Sequence, residues 1–104
     1  MTTALGAPRW RGQPGRLEVW YLTATDAATG FGIWVHHETV APTGEQPPYA
    51  HGWTAVFPGG EPVIERFGPV PASPRGEEPP WHEVDGCTVG AGRVTGRRTG
   101  PRSR

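Results

Sequence analysis

Two ten-residue stretches early in the chain are crowded with β-branched and aromatic residues: 16–25 (RLEVWYLTAT) and 31–40 (FGIWVHHETV). Asp26-Ala27-Ala28-Thr29-Gly30 lies between them. Asp opens a turn and Gly closes it with positive φ, so the pair is predicted as a β-hairpin with a five-residue loop. A Pro-rich segment, 41–48, leads to a third predicted strand over 49–57 (YAHGWTAVF). The turn signal Pro58-Gly59-Gly60 then joins it to a fourth over 62–67 (PVIERF). Residues 68–80 hold five prolines and suit an extended loop, and 87–94 is a weak fifth strand. Nothing repeats with the 3.6-residue period of a helix. The pattern predicts an all-β fold: an antiparallel meander, either an incomplete barrel or an open sheet, over 16–94. A flexible N-terminal segment, 1–15, and a disordered basic tail, 95–104, flank it.

Composition narrows this further. Leu, Ile, Val and Phe supply only 17 of 104 residues, while Gly and Pro number 16 and 13. Five Trp and two Tyr make up for the thin aliphatic core, because each large aromatic buries roughly 150–250 Å². The ten basic residues are all Arg, as coding bias in a GC-rich genome would produce, and ten acids balance them. The single cysteine, Cys87, rules out an internal disulfide and a multi-cysteine zinc site. The N-terminus has no basic start followed by an apolar run, and no apolar stretch approaches the ~20 residues of a membrane-spanning helix. A cytoplasmic chain without a membrane span is expected.

The stretches Leu17-Glu18-Val19-Trp20-Tyr21-Leu22, Thr29-Gly30-Phe31-Gly32-Ile33-Trp34-Val35-His36-His37 and His51-Gly52-Trp53-Thr54-Ala55-Val56-Phe57 resemble the opening of the hydroxyneurosporene synthase (carotenoid hydratase) family. The shared features are a "WYL" strand, a "TG-x-G-x-W" strand and an "HGW-x-A-x-F" strand, over residues 16–68. The resemblance implies a lipocalin-like fold, an isoprenoid or other apolar small-molecule ligand, and addition of water to a protonated alkene. Members of that family are much longer and contain two barrel-like halves. A ligand-sized barrel typically needs eight strands, so four or five leave open edges that invite another chain. The physical options are a fragment, an inactive remnant, or a homo-oligomer formed through those edges.

Strand alternation places the candidate chemistry. A five-residue loop pairs Thr25 with Phe31 and puts Trp20 opposite His36, Leu22 opposite Trp34, and Glu18 opposite Glu38 on one face. Tyr21, Ile33 and Val35 then pack a core on the other face. In that register Glu18, His36 and Glu38 are the candidate catalytic groups, since opposed carboxylates raise one another's pKa beside an imidazole. Trp20, Leu22, Trp34 and Trp53 are the candidate ligand-binding wall. A solvated face for the carboxylates and a plain core role for the indoles is the competing reading, and the commoner one. His36 and His37 point to opposite faces and cannot easily share an ion. No metal-binding motif, nucleophile elbow or phosphate loop is present, so no metal or cofactor is expected. The arginines of 93–104 lack interleaved aromatics, so no nucleic-acid partner is expected. Gly52 is expected to admit a bulky neighbour against the backbone. A non-catalytic assembly module remains the rival to a ligand-binding one.

Overall fold

The computed structural model describes residues 5–97, which form seven strands and no helix. Strands β1 (Arg16–Thr25), β2 (Gly32–Ala41), β3 (Tyr49–Phe57) and β4 (Val63–Pro71) make an open antiparallel meander in chain order. Strands β5 (His82–Val84), β6 (Cys87–Gly90) and β7 (Arg93–Val94) make a second, smaller meander. The sheet stays open, with β1 and β4 as its edges and no closed barrel.

The first hairpin corrects the expected register by one residue. Asp26 stays in the ladder: its amide donates to the Phe31 carbonyl at 2.8 Å, and Gly30 donates back to the Asp26 carbonyl at 2.7 Å. The Asp26 carboxylate also accepts the Ala28 amide and the Thr29 hydroxyl. The loop is therefore four residues long, with Gly30 at φ 78°, and Thr25 pairs with Gly32 where Phe31 was expected. Strand side chains alternate faces, so this single slip exchanges the faces of one strand relative to the other. Trp20 now opposes His37, Leu22 opposes Val35, and Glu18 opposes Thr39.

The second sheet packs on the inner face of the first. Ala50 and Phe67 meet Val84 and Cys87 in one buried cluster, while Trp81, Val89 and Ala7 form another with Trp20 and Val94 at its margin. A bulge in the β3–β4 ladder sets two β4 residues, Gly68 and Pro69, against His51 alone. Gly68, at φ 86°, donates its amide to the Asp85 carboxylate in the turn after β5 and so ties the two sheets. At Gly52 the expected close approach is present, and the group admitted is the Phe67 ring. A Cβ there would run into the His36 carbonyl and come within 2.5 Å of that ring.

The segment expected to be loose before β1 contributes to packing. Ala7 and Trp10 are buried, and Gly6 lies against the Trp81 ring. At the other end Thr95 and Arg97 donate amides to the Thr88 carbonyl and the Thr54 hydroxyl. Residues 98–104 of the expected tail, and 1–4 of the expected flexible arm, lie outside the described residues.

Candidate functional site

The corrected register divides the expected site between two faces. Trp34, His36 and Glu38 on β2 project from the outer face, together with Trp53 and His51 on β3 and Tyr21 on β1. Glu18, Trp20 and Leu22 project from the inner face. Glu18 therefore shares no cavity with His36 and Glu38, and Trp20 and Leu22 do not continue the wall made by Trp34 and Trp53. Tyr21, expected in the core, is 65% exposed, whereas Val35 is buried as expected.

On the outer face the central pair of strands builds a continuous aromatic surface. Cross-strand pairing places His36 opposite Trp53 and Glu38 opposite His51. The His36 imidazole lies flat on the Trp53 indole, with centroids 4.1 Å apart and planes 9° apart. Trp34 meets both edge-on, at 5.6 Å from His36 and 5.5 Å from Trp53. Tyr21 lies parallel to His36 at 6.5 Å, and the Arg66 guanidinium sits 5.9 Å from the Trp53 ring. Glu38 joins the two imidazoles: its Oε1 is 3.0 Å from His51 Nε2 and 3.6 Å from His36 Nε2. The first is hydrogen-bond distance; the second is too long for one.

Burial lowers the pKa of His36, and the neighbouring Glu38 carboxylate only partly opposes this. The ring is therefore neutral near pH 7, and a neutral imidazole can accept a proton. Its Nδ1 is buried and has no hydrogen-bond partner among the described residues. The cluster thus combines indole faces with one imidazole whose Nε2 is turned toward a carboxylate and one carboxylate placed between two imidazoles. It is an open sheet surface and not an enclosed cavity. Among the described residues no group of three His, Cys, Asp or Glu side chains is arranged to hold a metal ion.

The inner-face residues have other work. The Glu18 carboxylate accepts the backbone amides of Arg9 and Trp10, at 2.6 and 2.9 Å. Trp20 donates its indole N–H to the Gly6 carbonyl and packs on His82. Leu22 lines an apolar cleft with Ile33, Val35, Val56 and Val94 between the sheets. Glu18 is then an anchor for the N-terminal segment. Glu18→Ala should cost about 1.5–3 kcal/mol, the usual worth of hydrogen bonds to a charged group, while ligand affinity on the outer face stays unchanged. Chemical denaturation and a binding titration on the same variant check both halves. A variant of native stability would remove the anchoring role.

His51 is not among the candidate groups named from sequence, although its two-residue spacing from Trp53 is a readable sign that both share a face. His82 pairs with His37 in the interior, and no local signal joins residues 45 positions apart. Cys87 is buried, and burial pushes its thiol pKa up. This keeps it protonated and unreactive.

Two curated proteins of Mycobacterium tuberculosis are similar to the chain: uncharacterized protein MT0513 of strain CDC 1551 and uncharacterized protein Rv0493c of strain H37Rv. Each is 50% identical over 97 residues, covering 92% of this chain and 29% of the relative. The chain thus spans less than a third of the length of the curated relatives it matches. No protein family profile matches the chain, and no solved structure matches it significantly. Among the described residues no helix is long and apolar enough to cross a membrane.

Proposed function

We propose that this chain is a small-molecule binding module whose apolar ligand lies across the outer face of the four-stranded sheet, against Trp34, His36 and Trp53. The observation that carries the reading is the flat stack of His36 on Trp53, with Glu38 placed between His36 and His51. Small-molecule sites combine an apolar, aromatic wall with a few polar groups that fix orientation, and this face has that make-up. An isoprenoid-like ligand suits it, since the strands that carry the cluster are those that resemble the carotenoid hydratase family. Hydration adds one proton to the alkene and releases one from the water that captures the cation. Indole faces favour the developing carbocation, and the His36–Glu38–His51 group can relay the released proton back to the alkene carbon of the next turnover. The lone buried Cys87 suits a reducing cytoplasm.

Titration of the folded chain with retinol, followed by tryptophan fluorescence, tests this. A saturable change is expected. Trp53→Ala should weaken binding by at least about tenfold, as loss of a well-packed Trp anchor does. Trp20→Phe should bind as the unmodified chain does, and Glu38→Gln should bind normally while losing any alkene hydration. Absence of a saturable response would refute the ligand site. Concentration-dependent sedimentation in the absence of any retinol response would favour assembly of two copies instead. The β1 edge suits that outcome, because its Leu17, Val19, Tyr21 and Leu22 are exposed.

A further inference from the structure

The geometry points to a buried binding site for a single proton, shared between His37 on β2 and His82 on β5, that joins the two sheets. His37 and His82 are 0% and 3% exposed, and their Nδ1 atoms face each other at 2.8 Å. The remaining nitrogen of each ring meets a backbone carbonyl. His37 Nε2 is 2.8 Å from the Thr95 oxygen, and His82 Nε2 is 3.0 Å from the Glu38 oxygen.

Counting hydrogens decides the state of the pair. A carbonyl oxygen only accepts, so both Nε2 atoms must carry hydrogen. The nitrogen–nitrogen contact needs one more, donated by one Nδ1 to the other. Three ring hydrogens are required, and two neutral imidazoles hold two between them. A neutral pair would leave two lone pairs pressed together at one of the three contacts. Turning either ring over would put carbons where its nitrogens are and forfeit its hydrogen bonds. The pair therefore carries one added proton and one positive charge, spread over two rings.

The surroundings admit that charge but not a second. The titratable and charged neighbours are His36 on β2 and His51 on β3, which face outward, and Arg75 before β5. On β1 the same face presents Trp20 against His82, and Glu18, which is taken up by the Arg9 and Trp10 amides. Phe67 faces the pair from β4, while β6 brings Val89 opposite His82 and the buried Cys87 beyond it. After β7 Arg97 donates to the Arg66 carbonyl, and Asp85 in the β5–β6 turn accepts from Gly68. Among the described residues no carboxylate is hydrogen-bonded to either ring. Burial lowers the pKa of both rings, that of His82 to about 4. The Thr95 and Glu38 carbonyls oppose that penalty only in part. What favours the first proton is the nitrogen–nitrogen hydrogen bond, which a neutral pair cannot make together with both carbonyl contacts, and no such bond is left to favour a second.

The pH dependence follows from proton numbers. Above the ordinary imidazole value of about 6.5 the unfolded chain releases the protons of both residues, while the folded pair keeps one. Stability then falls as pH rises, the folded-to-unfolded ratio dropping about tenfold per pH unit until the shared proton is lost. Below that value the unfolded chain binds two and the folded pair one, so stability falls on the acid side too. His36, whose pKa burial also lowers, adds to the acid limb. The buried Cys87 thiol, whose pKa is raised, adds a loss above the ordinary thiol value of about 8.5. The window between about 6.5 and 8.5 is therefore the diagnostic one.

Imidazole 15N NMR of the 104-residue chain near pH 7.5, about one unit above the ordinary value, reads the site directly. Both Nε2 atoms should appear protonated, and both Nδ1 atoms should lie between the protonated and bare positions. A bare Nε2 on either ring, or two bare Nδ1 atoms, would overturn the assignment. Denaturation between pH about 6.5 and 8.5, below the ordinary thiol value, gives a second readout: the loss with rising pH there should persist in His51→Gln and vanish in His82→Gln. Stability that stays flat over that window in the unmodified chain would overturn the proposal. So would one Zn2+ or Cu+ ion per chain displacing the shared-proton signals, since the site would then be a metal site.

Discussion

Phe67→Ala is expected to remove about 3–5 kcal/mol of stability, the usual cost of truncating a buried phenylalanine, and with it most of the cooperative transition. Phe67 is 1% exposed and is the largest side chain in the cluster that joins the sheets. It fills the space over Gly52, tilts against His37 at 5.0 Å, and packs on Val84 and Cys87 from the second sheet. The neighbours around the missing ring are small, among them Ala50 and Ala72, so they cannot collapse into the cavity. Domains of this size hold only about 5–15 kcal/mol in total, and here only five of the seventeen Leu, Ile, Val and Phe residues, Val35, Val56, Phe67, Val84 and Val89, are buried. Urea denaturation measures the loss. A cost below about 1 kcal/mol, the range of surface substitutions, would mean that the second sheet is not held on the first through this ring.

Gly52→Ala should destabilise by about 1–3 kcal/mol or more, as overpacking does, although alanine is ordinarily harmless in a strand. The obstacle is on two sides. The new methyl would meet the His36 carbonyl of the neighbouring strand and the edge of the Phe67 ring. A carbonyl in a ladder cannot retreat without parting β2 from β3, whereas the ring can shift. The two substitutions should therefore be non-additive. In a Phe67→Ala background, if it still unfolds cooperatively, Gly52→Ala should cost less than it does alone, because half the collision has gone. Equal costs in both backgrounds would place the strain entirely on the β2–β3 ladder.

Much of the architecture could be read from residue order alone. The strands at 16–25 and 49–57 have the expected limits, the second has shifted by a single residue, and the fourth continues past Phe67 to Pro71. The last extension escaped notice because Gly68 and Pro69 read as breakers, yet they lie in a bulge where extra residues are accommodated. β5 was missed altogether: three residues are too few to show a period. The candidate site failed at a different level. Every side chain named for it lies on a strand, but its grouping depended on the length of one loop. Asp26 could end the strand or stay in it, and composition does not separate those outcomes. The hydrogen bonds of Asp26 to Phe31 and Gly30 do. Grouping of Trp34, His36 and Glu38 survived because alternation within one strand does not depend on register. Their grouping with Glu18, Trp20 and Leu22 required it. The His37–His82 pair, made by a contact across 45 positions, lay beyond any local pattern.

The most direct measurement is a chemical-shift map of the side-chain N–H and ring signals during a retinol titration of the folded chain. Its value lies in the separation of the two faces, since the indoles of Trp34 and Trp53 lie outside and those of Trp20 and Trp81 face the second sheet. The account predicts saturable shifts at Trp34, His36, His51 and Trp53, with Trp20, Trp81 and His82 unmoved. Shifts confined to Trp20, Trp81 and His82, or none at all in a chain that remains folded, would contradict it.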